Sequence, residues 1–496
     1  MKTKYLILGI IVTVITAACT DNWEEHYNPP VKVGTTLWKQ IEESADLSDF
    51  ARLLQSRGYD TLLDGTQRFT VWAPKGHIDT ILITGEIMSE EEIVTQVVEN
   101  HIARSLISVS ASKTDSIRTM NGKQMKLLGD GDGVIFNGTY IERPNIVCSN
   151  GLLHIVAQQV RFNNNIWTYL RQDKDLRLLC DYMYGFSRLQ FDPQSSTLGG
   201  VVGGEKIYSD SVFVVTNELW TQVGHLNEEN TSYILTAPDN EAWEETLKEF
   251  RTFYHYPVGI YENMGDSIAK RRIIELIARR SDSNEEVKHH AVIFDSIDCS
   301  NGLILKASTL DVDPYETFVQ DIIIEAEAES YMTKEPGNCD AANVFVVTGK
   351  NELSENRYIK LIASSPILKP TITYALPDVL SCTYDIGVVF VPMNLTKNGY
   401  SSSIAQKDGR VDVELRDDYL GETYKFADIH VDGSRIDTVW ITKGHNFKYC
   451  DYYPNRTKIT DSKLTLKITG TVKRNETTSM SRDMYIDCIV LRPQRY

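Results

Sequence analysis

The chain has 496 residues, 42% of them hydrophobic and 24% charged; that is too long for one core and too apolar for wholesale disorder, and at about 150 residues per domain it predicts about three domains. Its 68 Asp and Glu against 51 Lys and Arg leave a net charge of −17, which argues against nucleic acid as the main partner and against electrostatic docking on an anionic membrane. Eight Cys, 15 Pro and 30 Gly exclude a disulfide-stapled scaffold and collagen-like or low-complexity fibres.

At the N-terminus, Lys2 and Lys4 precede an apolar run over 5–18. It is shorter than the ~20 residues of a membrane-spanning helix and has the length of a secretion signal. The run ends in Thr16-Ala17-Ala18-Cys19, which resembles the bacterial lipoprotein signal, with Thr16 standing where Leu is usual. The resemblance implies that residues 1–18 are removed and that Cys19 carries lipid; an ordinary cleaved signal with an incidental Cys is the alternative. The acidic stretch after it (Asp21, Glu24, Glu25) is similar to the segment Bacteroidetes lipoproteins use to reach the outer face of the outer membrane, or is a plain solvated tether. Residues 19–34 thus read as a lipidated tether, with membrane contact through the anchor only. The other seven Cys form no C-x-x-C pair and are odd in number, so buried thiols are expected rather than a zinc site.

An internal repeat then divides the chain. Trp38 and Leu47 are nine residues apart, as are Trp167 and Leu176, each pair inside apolar residues at helical spacing, with Gly58 and Gly185 where a helix would end. Phe69-Thr70-Val71-Trp72-Ala73-Pro74 corresponds to Tyr233-Ile234-Leu235-Thr236-Ala237-Pro238, two β-prone runs closed by Pro. Cys148-Ser149-Asn150-Gly151-Leu152 corresponds to Cys299-Ser300-Asn301-Gly302-Leu303, a tight turn entering an apolar strand. The offsets of 129, 164 and 151 give the second copy about 35 extra residues before its Ala-Pro and about 13 fewer after it.

These residues resemble the fasciclin-like (FAS1) domain, with its opening helix pair, first box, central His segment and closing N-G box. The first copy matches at Phe69 to Pro74, Glu99-Asn100-His101-Ile102 and Asn150 to Val156; the second keeps Asp239-Asn240-Glu241-Ala242-Trp243, but its His290 lies too close to Asn301 and the expected hairpins are largely missing. The resemblance implies two α+β FAS1-like domains, 35–164 and a divergent 165–321, with adhesive and no general catalytic activity. The family's His segment is linked to adhesion; a lone His101 without partner spacing reads as a core hydrogen-bonding residue.

From residue 322 the helical spacing gives way to short β-prone runs separated by turns such as Asn398-Gly399 and Asp432-Gly433, predicting an all-β jelly-roll-like sandwich over 322–496. Its opening Ile324-Glu325-Ala326-Glu327 and closing Tyr485 to Leu491 resemble the end strands of jelly-roll carbohydrate-binding modules. That resemblance implies a possible structural calcium held by Glu325, Glu327 and Asp487, Glu325 and Glu327 being expected on one strand face; solvated edge carboxylates are the alternative. The aromatic residues Trp440, Tyr449, Tyr452 and Tyr453 are the candidate ligand-binding platform, against ordinary core packing, and Phe253-Tyr254-His255-Tyr256 has the same ambiguity.

No G-x-S-x-G, H-E-x-x-H or complete nucleotide-binding glycine motif occurs, and the glycine-rich 129–133 and 199–204 read as hairpin loops. The reading is a non-enzymatic outer-membrane surface lipoprotein that needs no cofactor and binds a glycan or an extracellular or outer-membrane protein. The alternatives are a scaffold subunit of a nutrient-uptake assembly and, last, a divergent glycan-active enzyme.

Overall fold

The computed structural model describes residues 34–495 apart from 82–86, 111, 113, 130, 132, 260–262, 285, 338, 347–352 and 366, so Cys19 and the run before it lie outside the described residues. The first region opens with the helices Leu37–Glu42, Ser48–Ser56 and Tyr59–Asp64. Thr36 caps the first, its hydroxyl accepting from Lys39 N, and Ser48–Ser56 buries Phe50, Ala51 and Leu54 along one stripe.

The strand Phe69–Pro74 is buried along its whole length and lies parallel to Gly151–Val156 at the centre of a seven-stranded sheet. Continuous apolarity is what a parallel strand covered on both faces requires. The helices cover one face, where Leu37, Ile41, Phe50 and Leu54 meet Val71, Leu153 and Ile155. Hairpin strands over 115–136 cover the other, bringing Ile117, Met125, Leu127 and Phe136 to Trp72 and Val156. Gln124–Gly129 pairs antiparallel with Val134–Phe136, as the glycine-rich 129–133 predicts, with Asp130 and Asp132 outside the described residues.

In the middle region the pairing recurs. Tyr233–Pro238 runs parallel to Gly302–Asp311, and its six rungs begin at Gly302 just as those of the first sheet begin at Gly151. An asparagine brackets each crossing. Asn150 Oδ1 accepts from Leu37 N at 2.8 Å while its Nδ2 donates to Leu63 O and Gly65 O. Asn301 Oδ1 accepts from Ile166 N at 2.8 Å while its Nδ2 donates to Leu226 O and Glu228 O. The glycine that follows each permits close approach: a Cβ on Gly151 would sit 2.1 Å from Phe69 O, and one on Gly302 1.9 Å from Tyr233 O.

The two regions then diverge. The middle sheet has four strands, and among the described residues no hairpin covers its outer face. The residues gained before Tyr233 form instead a ribbon over 187–217. Sheet register also places Ile277, not His290, where the first region has His101, because the short antiparallel partner strands are Ile102–Ala103 and Ala278–Arg280.

The C-terminal region consists of two antiparallel sheets, of six and five strands, whose inward residues, among them Ile359, Ile386, Val388 and Ile489 from one and Ile372, Tyr374, Val413 and Leu466 from the other, share one core. The expected runs are strands, and Asn398-Gly399 closes a small hairpin. Met332–Gly337, Arg357–Ala363, Thr371–Ala375 and Glu422–Val431 are strands outside the β-prone runs of the sequence; the last is an edge strand whose solvated, charged residues hide its period. The core around Trp38 is separate from that around Trp167, whereas the latter continues without a break into the C-terminal sheets.

Candidate functional site

The two aromatic clusters of the sequence are each other's partners. Segment 253–256 docks against residues 449–453, nearly two hundred residues away. Cys450 N donates to His255 O at 2.7 Å and Ser381 N to Phe253 O at 2.8 Å, pinning the backbones together. Tyr256 OH donates to Tyr452 O, the ring of Tyr254 meets that of Tyr452 at 6.0 Å, and His255 meets Tyr449 at 5.2 Å. From the helix Met264–Ile277, Arg272 donates to Tyr452 OH at 3.1 Å and Tyr254 OH at 3.3 Å.

The candidate platform residues stand between the two readings given them, platform and core packing. Tyr449, Tyr452 and Tyr453 come together but are half-buried, because the middle region supplies the surface that covers them. Trp440 is elsewhere, on the strand Asp437–Asn446, with Arg492 over its ring at 5.2 Å.

Beside this seam opens a cleft of about 1110 Å³. The helix Met264–Ile277 forms one wall through Met264, Ile268 and Arg271; Tyr419, Tyr453 and the loop with Asn455 and Lys463 form the other. Asp451, fully buried, builds that loop. It accepts from Arg456 Nη2, Ser462 Oγ and Tyr419 OH, each at 2.7 Å, and from Lys463 N. Tyr419 OH and Tyr453 OH lie 2.5 Å apart, and Arg456 stacks over the Tyr453 ring at 4.9 Å. Nothing in the linear pattern marks Asp451 as a hub, since its partners come from 419 and 462 as well as its own loop. An open cleft at a seam between regions, with aromatic walls and a few polar groups, suits a small or extended organic ligand.

The three acidic residues also converge, though not as expected. Glu325 ends the strand Ile322–Glu325, whereas Glu327 lies in the turn beyond it, so they do not share a strand face. Ser354 N donates to both oxygens of Asp487, at 3.2 and 3.1 Å, and Ser354 Oγ to Glu325 Oε1. Glu325 Oε2 and both oxygens of Glu327 are buried without a hydrogen-bond partner. Burial, reinforced by Glu325 and Glu327, pushes the Asp487 carboxyl up to about 7; burial likewise raises Glu325 and Glu327. Partnerless carboxylate oxygens have the chemistry of a hard-cation site. Their spacing does not complete one: among the described residues no group of three or more His, Cys, Asp or Glu is arranged to hold a metal ion.

His101 is fully buried in the first region. Its Nε2 accepts from Val160 N at 2.9 Å, so Nδ1 carries the proton and donates to Val97 O at 2.6 Å. Burial brings its pKa down to about 4. It therefore ties a helix end to the strand exit as a neutral ring and presents nothing to solvent. The first and middle regions are joined by Lys123 Nζ, which bonds Glu229 at 2.6 Å and Ser300 Oγ at 3.2 Å in a nearly buried cluster.

Residues 45–160 match the family model of the Fasciclin domain. The matched segment holds both the first box and the closing box, whose parallel pairing builds the sheet. No curated protein matches the chain. Among solved structures, the FAS1 domain pair of the insect cell adhesion molecule fasciclin I aligns with 56% of this chain and 96% of its own at 12% identity and a TM-score of 0.20. An exo-β-1,3-galactanase from Phanerochaete chrysosporium aligns with 37% of this chain and 30% of its own at 10% identity and a TM-score of 0.20. The CBM22-1–GH10 modules of a Clostridium thermocellum xylanase align with 34% of this chain and 28% of their own at 16% identity and a TM-score of 0.19. TM-scores this low establish no shared fold.

Proposed function

We propose that the chain is a non-catalytic adhesion protein of the bacterial surface, held to the outer membrane by lipid on Cys19 and binding a glycan in the cleft beside Tyr453. In this reading 165–321 is a second, divergent fasciclin unit and 322–496 is a jelly-roll module of the carbohydrate-binding kind. The observation that carries the glycan assignment is the cleft itself, whose tyrosine rings stand next to Arg271, Asn455 and Lys463. Aromatic faces take sugar rings, and amide and cationic groups take their hydroxyls. The shared asparagine brackets and sheet register support the second unit.

The test is a glycan array with the full chain against Asn455→Ala and Lys463→Ala, both on exposed positions of the cleft wall. Binding lowered about tenfold by each, with no new reducing ends released, supports the reading; turnover of a bound glycan would make the protein an enzyme. A scaffold role in a nutrient-uptake assembly is the second reading, favoured by the exposed Val292, Ile293 and Phe294 of the middle sheet. Pull-down from outer membranes without any array signal would select it. No structural calcium is part of the proposal: oxygens of Glu325 and Glu327 are partnerless, but both Asp487 oxygens accept from Ser354 N and the three carboxylates are not spaced to hold a metal ion.

A further inference from the structure

We infer that residues 187–217 form a dimerisation arm that packs face to face on the same arm of a second copy of the chain. At its base, Ser187–Phe191 pairs with Phe213–Asn217. Further out, Thr197–Val202 pairs with Glu205–Asp210, closed by Gly203 and Gly204, both at positive φ, as a two-residue hairpin turn requires. The register sorts the side chains. Leu189 faces Val215 and Phe191 faces Phe213 on one side; Arg188 faces Thr216 and Gln190 faces Val214 on the other. Leu198 faces Tyr208, whose ring meets Phe191 at 4.8 Å. One side of the arm is thus an apolar stripe from Leu189 to Leu198 with no ionised group.

That stripe lies in water. Leu189 is 74% exposed, Phe213 57%, Leu198 51% and Val215 46%. A two-stranded ribbon solvated on both faces is marginal by itself; a second layer about 10 Å away would make it a sandwich. With Ile207, which faces Gly200 beyond Leu198, these residues leave on the order of 500 Å² exposed, so two copies would bury about 1,000 Å², the lower bound of a specific interface. The absence of charge on the stripe favours a second copy as the occupant. The chain carries −17, so two bodies repel, but the arm holds only Arg188, Lys206, Asp192, Glu205 and Asp210, and its stripe offers no complement to a charged partner. A neutral surface that complements itself is what a two-fold contact needs.

The test is sedimentation velocity of the lipid-free chain from Thr20 onward, between 1 and 100 µM, at low and high salt. A dimer is expected, tighter at high salt because the bodies are screened. Leu189→Asp with Val215→Asp should weaken it at least thirtyfold without changing thermal unfolding, while Gln190→Lys on the opposite side leaves it intact. Val215→Cys should give a covalent dimer on oxidation. A chain monomeric at 100 µM, a dimer indifferent to L189D/V215D, or a monomer that uses the stripe to bind lipid vesicles or another protein would each overturn the inference.

Discussion

His101 and His154 are both neutral in the folded chain, and for the same reason. Each ring is buried with one nitrogen accepting a backbone N–H and the other donating to a carbonyl, and each pKa is brought down to about 4. Unfolded, they titrate near 6.5. Protons then bind the unfolded chain preferentially, and stability falls as pH drops from about 6.5 to 4, by on the order of 3 kcal/mol for each ring at most. Trp72, stacked on His154 at 5.5 Å, is the natural fluorescent reporter of that loss. Asp487 behaves oppositely. Its folded pKa of about 7 exceeds its unfolded value near 3.8, so its contribution is full below pH 3.8 and is lost as pH rises through 7. Asp487→Asn should raise the melting temperature at pH 8 and flatten its pH dependence. Because the cluster does not complete a cation site, millimolar calcium should shift the native chain and the Asn variant equally at pH 8; stabilisation of the native chain alone would restore the cation.

At the scale of elements, the Asn-Gly turn carries more than a change of direction. Each asparagine satisfies a helix N-terminal donor and two carbonyls of the segment before the strand, so one residue fixes a helix, that segment and the parallel strand pair. Asn150→Ala strands all three partners and is expected to destabilise the first region by about 2–4 kcal/mol. The same change at Asn301 should act on the middle region and, through the shared core, on the C-terminal sheets; separate denaturation transitions followed by hydrogen exchange would distinguish them. The short motifs, helix stripes and most strands could be read from the chain because they depend on local periodicity and turn chemistry. The strands Arg357–Ala363 and Glu422–Val431 could not: the first is mostly apolar with buried neighbours Tyr358 and Ile359 side by side, and the second is a largely solvated edge, so neither shows a clean period of two.

For the whole molecule, the contacts between regions decide what is accessible. Lys123→Ala leaves Glu229 nearly buried without its cation, a change expected to cost about 3–5 kcal/mol, and a double-mutant cycle with Glu229→Gln should recover part of it. Tyr452→Ala should loosen the seam between the middle region and the sheets, since it removes the ring under Arg272 and against Tyr254. Its effect on ligand binding would then accompany a fall in melting temperature, whereas Asn455→Ala should change binding alone.

By itself the sequence determined the repeated box-and-bracket pattern, the shift from helical to strand period near residue 322 and the buried character of His101, all properties of neighbours along the chain. Only the tertiary structure decided that Tyr452 and Tyr453 are covered by Tyr254 and Tyr256, that Asp451 organises a cleft wall, and that Glu327 leaves the strand face it was expected to share with Glu325. The first depends on surfaces that meet across nearly two hundred residues, and burying one aromatic cluster on another leaves no periodic trace in either segment; the other two depend on contacts within the C-terminal region that no local pattern encodes.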